Sequence, residues 1–122
     1  MLLPPTPETA AAFFGTFKAG GILLSMSVLY GDDGIRHRIR DSQAKLVVTD
    51  EANAHRIESA EVLLLDRDVF TQGEPEFEGV DTLADDPAQL YYTSGTTGLA
   101  KGILHAHSPM PWKRSPSCTS WQ

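Results

Sequence analysis

Apolar positions along the first stretch of the chain fall at helical spacing. Ala10, Phe13, Phe14 and Phe17 share one face and predict a helix with a single buried stripe. Its start is marked by Thr6 as a hydroxyl N-cap, Pro7 at the first helical position and Glu8 near the positive end of the helix dipole. Gly20 and Gly21 end it, and the apolar run 22–26 predicts a short strand. A second helix is expected over 33–41, with Ile35 and Ile39 one turn apart facing inward and Arg36, His37, Arg38 and Arg40 mostly outward. A buried strand at 46–49, a helix at 51–59 and another strand at 62–65 follow. Residues 67–88 lose periodicity and collect Gly73, Pro75, Gly79 and Pro87, a long connection. Order resumes in a strand at 89–92. Strands alternating with short helices predict an α/β fold with a mainly parallel sheet flanked by helices.

Composition changes this picture at one place. The 122 residues carry ten basic and sixteen acidic side chains, a net charge of −6. That balance disfavours a general surface for nucleic acid or anionic lipid, so any anion would be held by a local site. Residues 108–122 depart from the rest: three prolines, four serines, both tryptophans, the single cysteine and no acid. The expected organisation is an α/β unit over 1–107 and an aberrant or disordered tail over 108–122, with sequence foreign to the preceding frame as its leading explanation. A lone cysteine permits no intrachain disulfide. The first residues carry no basic n-region, and no run approaches the ~18 apolar residues a bilayer span needs, so a soluble, cytoplasmic chain is expected.

Two constellations carry little chemistry. His105 and His107 would share a face if both lay on a strand, yet no acid or cysteine at ligand spacing joins them. The run Gly31, Asp32, Asp33, Gly34 lacks the alternating acids of a calcium loop and reads as a turn leading into a helix. No metal site and no catalytic acid or base are expected in this chain.

One segment does carry chemistry. Thr93, Ser94, Gly95, Thr96, Thr97, Gly98, Leu99, Ala100, Lys101 and Gly102 place four hydroxyls, three glycines and a lysine in ten positions directly after a strand. Glycines let backbone N–H groups converge on an anion, the hydroxyls add donors, and Lys101 adds a full positive charge. The composition suits a polyphosphate; a Ser/Thr/Gly-rich turn is the alternative. The spacing excludes the nucleotide-triphosphatase P-loop, which needs glycine directly before its lysine and Ser or Thr directly after it.

From Tyr92 through Gly102 the segment resembles the signature loop of the adenylate-forming superfamily, whose members include acyl-CoA synthetases, luciferases and peptide-synthetase adenylation domains. Flanking runs at 4–21 and 41–50 are similar to that family's N-terminal domain in the same order. The general character is most like short- or medium-chain acyl-CoA synthetases. Many members have proline where this chain has Ala100. The resemblance implies part of an N-terminal domain, in which Thr93, Ser94, Gly95, Thr96, Thr97, Gly98 and Lys101 hold the β- and γ-phosphates of ATP with magnesium assisting. It implies that a carboxylic acid is activated as an acyl-adenylate and passed to coenzyme A. A histidine at the place of His107 is common in the family and implies packing near the nucleotide or acyl site. Because the family's other site residues lie downstream of these motifs, the chain by itself is expected to be inactive. A truncated non-enzymatic protein and an isolated phosphate-binding fragment are the rival expectations.

Overall fold

The computed structural model describes the chain except residues 67, 70–72, 75, 94–98, 109–117, 121 and 122, and describes 118–120 by backbone alone. Helices α1 (Pro7–Lys18), α2 (Asp32–Asp41) and α3 (Glu51–Ala54) are interleaved with strands β1 (Leu23–Leu24), β2 (Leu46–Thr49), β3 (Glu61–Leu64), β4 (Pro87–Thr93), β5 (Lys101–Ala106) and β6 (Cys118–Ser120). They form two compact units, one of Met1–Ala12 with Ser25–Glu78, the other of Phe13–Leu24 with Gly79–Gln122.

In the first unit β2 and β3 pair in parallel, Val47 opposite Val62 and Thr49 opposite Leu64. Leu2 bridges both Met26 and Thr49, and the Thr49 hydroxyl donates to the Leu2 carbonyl at 2.7 Å, which satisfies the polar atom of a fully buried threonine. Leu2, Met26, Ile35, Ile39 and Val47 are the buried apolar residues around it. α1 begins as expected, the Thr9 amide donating to the Thr6 hydroxyl at 3.3 Å. It ends in the second unit on Gly20, φ 68°, with the Gly20 amide bonded to the Phe17 carbonyl and the Gly21 amide to Thr16. Those two reversed bonds and one left-handed glycine are the Schellman stop.

Several expectations need correction. The stripe on α1 is not wholly buried: Thr9 is the helix's buried residue, while Ala10 is exposed and Phe14 is 69% exposed. β3 leaves Val62, Leu63 and Leu64 exposed, and Leu46 of β2 is also open. Hydrophobic periodicity reports which face an element would bury, and no described residue covers these faces.

The helix expected over 51–59 is a single turn. Asp50 caps it, its carboxylate accepting from the Asn53 amide at 2.9 Å. Beyond it the chain tightens to i→i−3 bonds, Arg56 to Asn53 and Ile57 to Ala54. Arg56 then turns back, donating to the carbonyls of Val28 and Tyr30 and pairing with Asp32 at 2.7 Å. Arg36 bridges Asp33 and Glu58, and the Arg38 guanidinium stacks over the Tyr30 ring at 4.3 Å. The basic side of α2 is therefore largely occupied within the chain, and His37 on it is half-buried.

Hydrogen bonds from Arg56 and Arg36 hold the carboxyls of Asp32 and Glu58 below their ordinary values. A carboxyl with a lowered folded pKa contributes stability above its unfolded value and loses it as pH falls through the folded one. The contribution of these two carboxyls to the urea midpoint is thus expected to stay level from neutrality to about pH 5 and to fall below about pH 4. In the double variant Asp32→Asn, Glu58→Gln the neutral midpoint should be lower and the acid limb shallower. An unchanged acid limb would contradict the assignment.

The second unit carries a four-stranded sheet in the order β1-β4-β5-β6. β1 and β4 are parallel, whereas β4–β5 and β5–β6 are antiparallel. The α/β expectation holds and the sheet is mixed: two of its pairings are the hairpin type that an alternating strand–helix pattern does not announce. β6 is a further addition, since the sequence predicts no element past residue 107, yet Cys118–Ser120 lies along Ile103 to His105 of β5. Ser108 donates its amide to the Ala84 carbonyl at 2.9 Å, and residues 109–117, 121 and 122 of that tail lie outside the described residues.

Candidate polyphosphate site

β4 begins at Pro87, where a missing amide costs least, and runs through the aromatic and β-branched residues Tyr91, Tyr92 and Thr93 that favour a pleated strand. It lies inside the sheet, β1 on one side and β5 on the other. Alternation divides the hairpin into two faces. Ala88, Leu90, Gly102 and Ala106 are buried; Gln89, Tyr91, Thr93, Lys101, Ile103 and His105 lie on the other face, with Tyr91, Thr93 and Lys101 exposed.

The final rung of the hairpin pairs Thr93 with Lys101. Of the seven residues expected to hold phosphate, the structure thus sets Thr93 and Lys101 side by side on the open face, at the base of a connection over 94–100. Ser94, Gly95, Thr96, Thr97 and Gly98 lie outside the described residues. Among the described residues no acid pairs with Lys101. Lys101 is also the sole lysine or arginine between residues 68 and 112.

This placement decides which forces can act. In a P-loop or dinucleotide fold the glycine-rich turn enters a helix whose dipole helps hold the anion. Here the segment leads into strand β5, and among the described residues no helix begins at its end.

The histidines occupy the other end of β5. His105 meets the Tyr91 ring edge-on at 5.4 Å, and His107, one residue past the strand, meets Phe17 at 6.0 Å. Together with Ala88, Gln89 and Ala106 these four residues line a cavity of about 410 Å³. The His107 amide donates to the Asp86 carbonyl at 3.0 Å, while its Nε2 is buried without a partner among the described residues. His107 lies six positions beyond Lys101, roughly 20 Å at an antiparallel rise. His107 therefore does not sit beside the rung at Lys101. No group of three or more His, Cys, Asp or Glu placed to hold a metal ion exists among the described residues.

The family model of AMP-binding enzymes matches residues 1–119. The chain belongs to the AMP-binding enzyme family. Among AMP-binding relatives, tyrocidine synthase 2 of Brevibacillus parabrevis is 35% identical over 108 residues, which are 88% of this chain and 3% of that protein. The malonate–CoA ligase of Arabidopsis thaliana is 29% identical over 119 residues, 85% of this chain and 20% of the ligase. The ATP-bound structure of MatB from Rhodopseudomonas palustris superposes with a TM-score of 0.77 at 28% identity, over 87% of this chain and 24% of MatB. The chain thus spans a quarter or less of each of these AMP-binding relatives. Among the described residues no helix is long and apolar enough to cross a membrane.

Proposed function

We propose that the chain is the polyphosphate-holding part of an ATP-dependent enzyme that activates a carboxylic acid as its acyl-adenylate and transfers the acyl group to coenzyme A. The observation that carries this reading is the Thr93–Lys101 rung at the base of the signature segment, in a chain that the AMP-binding family matches over 1–119. Lys101, the hydroxyls of Thr93, Ser94, Thr96 and Thr97 and the backbone at Gly95 and Gly98 would hold the β- and γ-phosphates. They would offset the charge that collects on pyrophosphate as it leaves. Magnesium, implied by the family resemblance, would assist by neutralising phosphate charge. These residues bind and orient; none is assigned proton transfer.

The thiol acceptor has two candidates. Coenzyme A follows from the resemblance to acyl-CoA synthetases and from the malonate–CoA ligase relative. A carrier-bound thiol of a peptide synthetase is the second reading, favoured by the 35% identity to tyrocidine synthase 2. Both share the adenylate-forming half-reaction.

Calorimetric titration of the purified chain with ATP, pyrophosphate and AMP tests the reading. ATP and pyrophosphate should bind comparably and AMP at least about tenfold more weakly, because one charge-assisted contact to a terminal phosphate is worth about that factor. The chain alone should give no acyl-CoA from ATP, coenzyme A and a panel of carboxylic acids. Equal affinity for AMP and pyrophosphate would remove the proposal.

A further inference from the structure

Tyr92 and Gly102 face each other in the rung directly below Thr93 and Lys101, on the opposite side of the hairpin. A β-carbon built at Gly102 would lie 3.4 Å from Tyr92 Cζ and 3.5 Å from its hydroxyl oxygen, and 3.1 Å from Leu90 Cδ1. The tyrosine ring thus lies across its partner glycine and fills the space where a side chain would stand. A glycine in a strand contributes no packing of its own, and an aromatic neighbour laid over it restores what is lost.

The position of this contact gives it a further consequence. Strand side chains alternate, so a one-residue slip of β5 against β4 would carry Lys101 from the open face to the buried one. Of the two adjoining rungs, Thr93–Lys101 is exposed and Tyr91–Ile103 has Tyr91 45% exposed, so next to Lys101 the buried face is held by Tyr92 and, one rung further, by Leu90 opposite Leu104. We propose that Tyr92, seated on Gly102, is a positioning residue: it clamps the β4–β5 register and so keeps Lys101 and Thr93 on one face for polyphosphate. This inference rests on the phosphate reading of Lys101, and its structural part stands apart from it.

The test uses the full chain, its Tyr92→Ala, Tyr92→Phe and Gly102→Val variants, inorganic pyrophosphate as probe, and backbone contacts between strands read by NMR. Tyr92→Phe keeps the ring and should match the parent in affinity and in the Thr93–Lys101 contact. Tyr92→Ala should weaken pyrophosphate binding by about fivefold, the scale of one cross-strand aromatic contact. It should lose the Thr93–Lys101 contact while keeping the Leu23–Gln89 contact of β1 and β4. Gly102→Val, which denies the ring its seat, should behave as Tyr92→Ala does. Retention of both the rung and the affinity in Tyr92→Ala would overturn the proposal. So would simultaneous loss of the Leu23–Gln89 contact, because the role would then be general packing. If the parent chain shows no Lys101-dependent binding, the phosphate reading fails, and the strand contacts alone decide the clamp.

Discussion

Reversing the charge at Lys101, in Lys101→Glu, is expected to weaken ATP binding by about a hundredfold. A hydrogen bond between charged partners contributes about 1.5–3 kcal/mol, which already corresponds to a factor of about ten or more when it is lost. The glutamate adds repulsion against a polyanion on a chain whose net charge is −6 before the change. No other lysine or arginine lies between residues 68 and 112 to compensate, and the hairpin supplies no helix dipole. Lys101 is exposed, so the substitution should leave the unfolding free energy within about 0.5 kcal/mol of the parent. Fluorescence titration with a labelled ATP, set beside urea unfolding, separates the two effects. Unchanged affinity would mean that the lysine does not meet phosphate.

The largest effect on stability is expected at Ile35. Its side chain is fully buried, and removing it to alanine takes away apolar burial and leaves a void, together worth about 2–5 kcal/mol. Domain stabilities are about 5–15 kcal/mol in total, so Ile35→Ala should remove a large fraction of the folded state's margin. Leu29→Ala is the matched control: Leu29 is 90% exposed, and its loss should change the unfolding free energy by less than about 0.5 kcal/mol. Equal midpoints for the two variants would contradict the placement of α2.

Much of this was legible in the sequence where a residue has a local duty. Thr6 and Pro7 start α1, Gly20 ends it, and Ile35 and Ile39 turn α2 inward, all through interactions within a few residues. The strand β2 was legible too as a short apolar run, though not which strand it pairs with or that Leu46 stays exposed. What failed depends on partners distant in sequence. Helical spacing groups Phe14 with Phe13 and Phe17, but it says nothing of whether any segment covers Phe14. The short α3 reflects Arg56 turning to Val28, Tyr30 and Asp32, a demand made far from its own helix. The antiparallel return of β5 was hidden because the connection after Thr93 lacks the Asn-Gly or Asp-Gly pair that marks a tight hairpin.

At the site, the spacing of glycines, hydroxyls and lysine pointed to Thr93 and Lys101, and the structure joins those two in one rung. Tyr92 over Gly102 was not legible, since only the register reveals that they are opposite each other. The sequence did give both residues as members of the signature segment, without a role for the ring.

Phosphorus NMR of ATP with magnesium, recorded with and without the chain and again with Lys101→Ala, tests the central claim most directly. The β and γ resonances should broaden or shift more than the α resonance in the presence of the parent chain, and the effect should largely vanish with Lys101→Ala. Equal perturbation of all three phosphates, or the same response from both proteins, would contradict the assignment of this hairpin to the terminal phosphates of ATP.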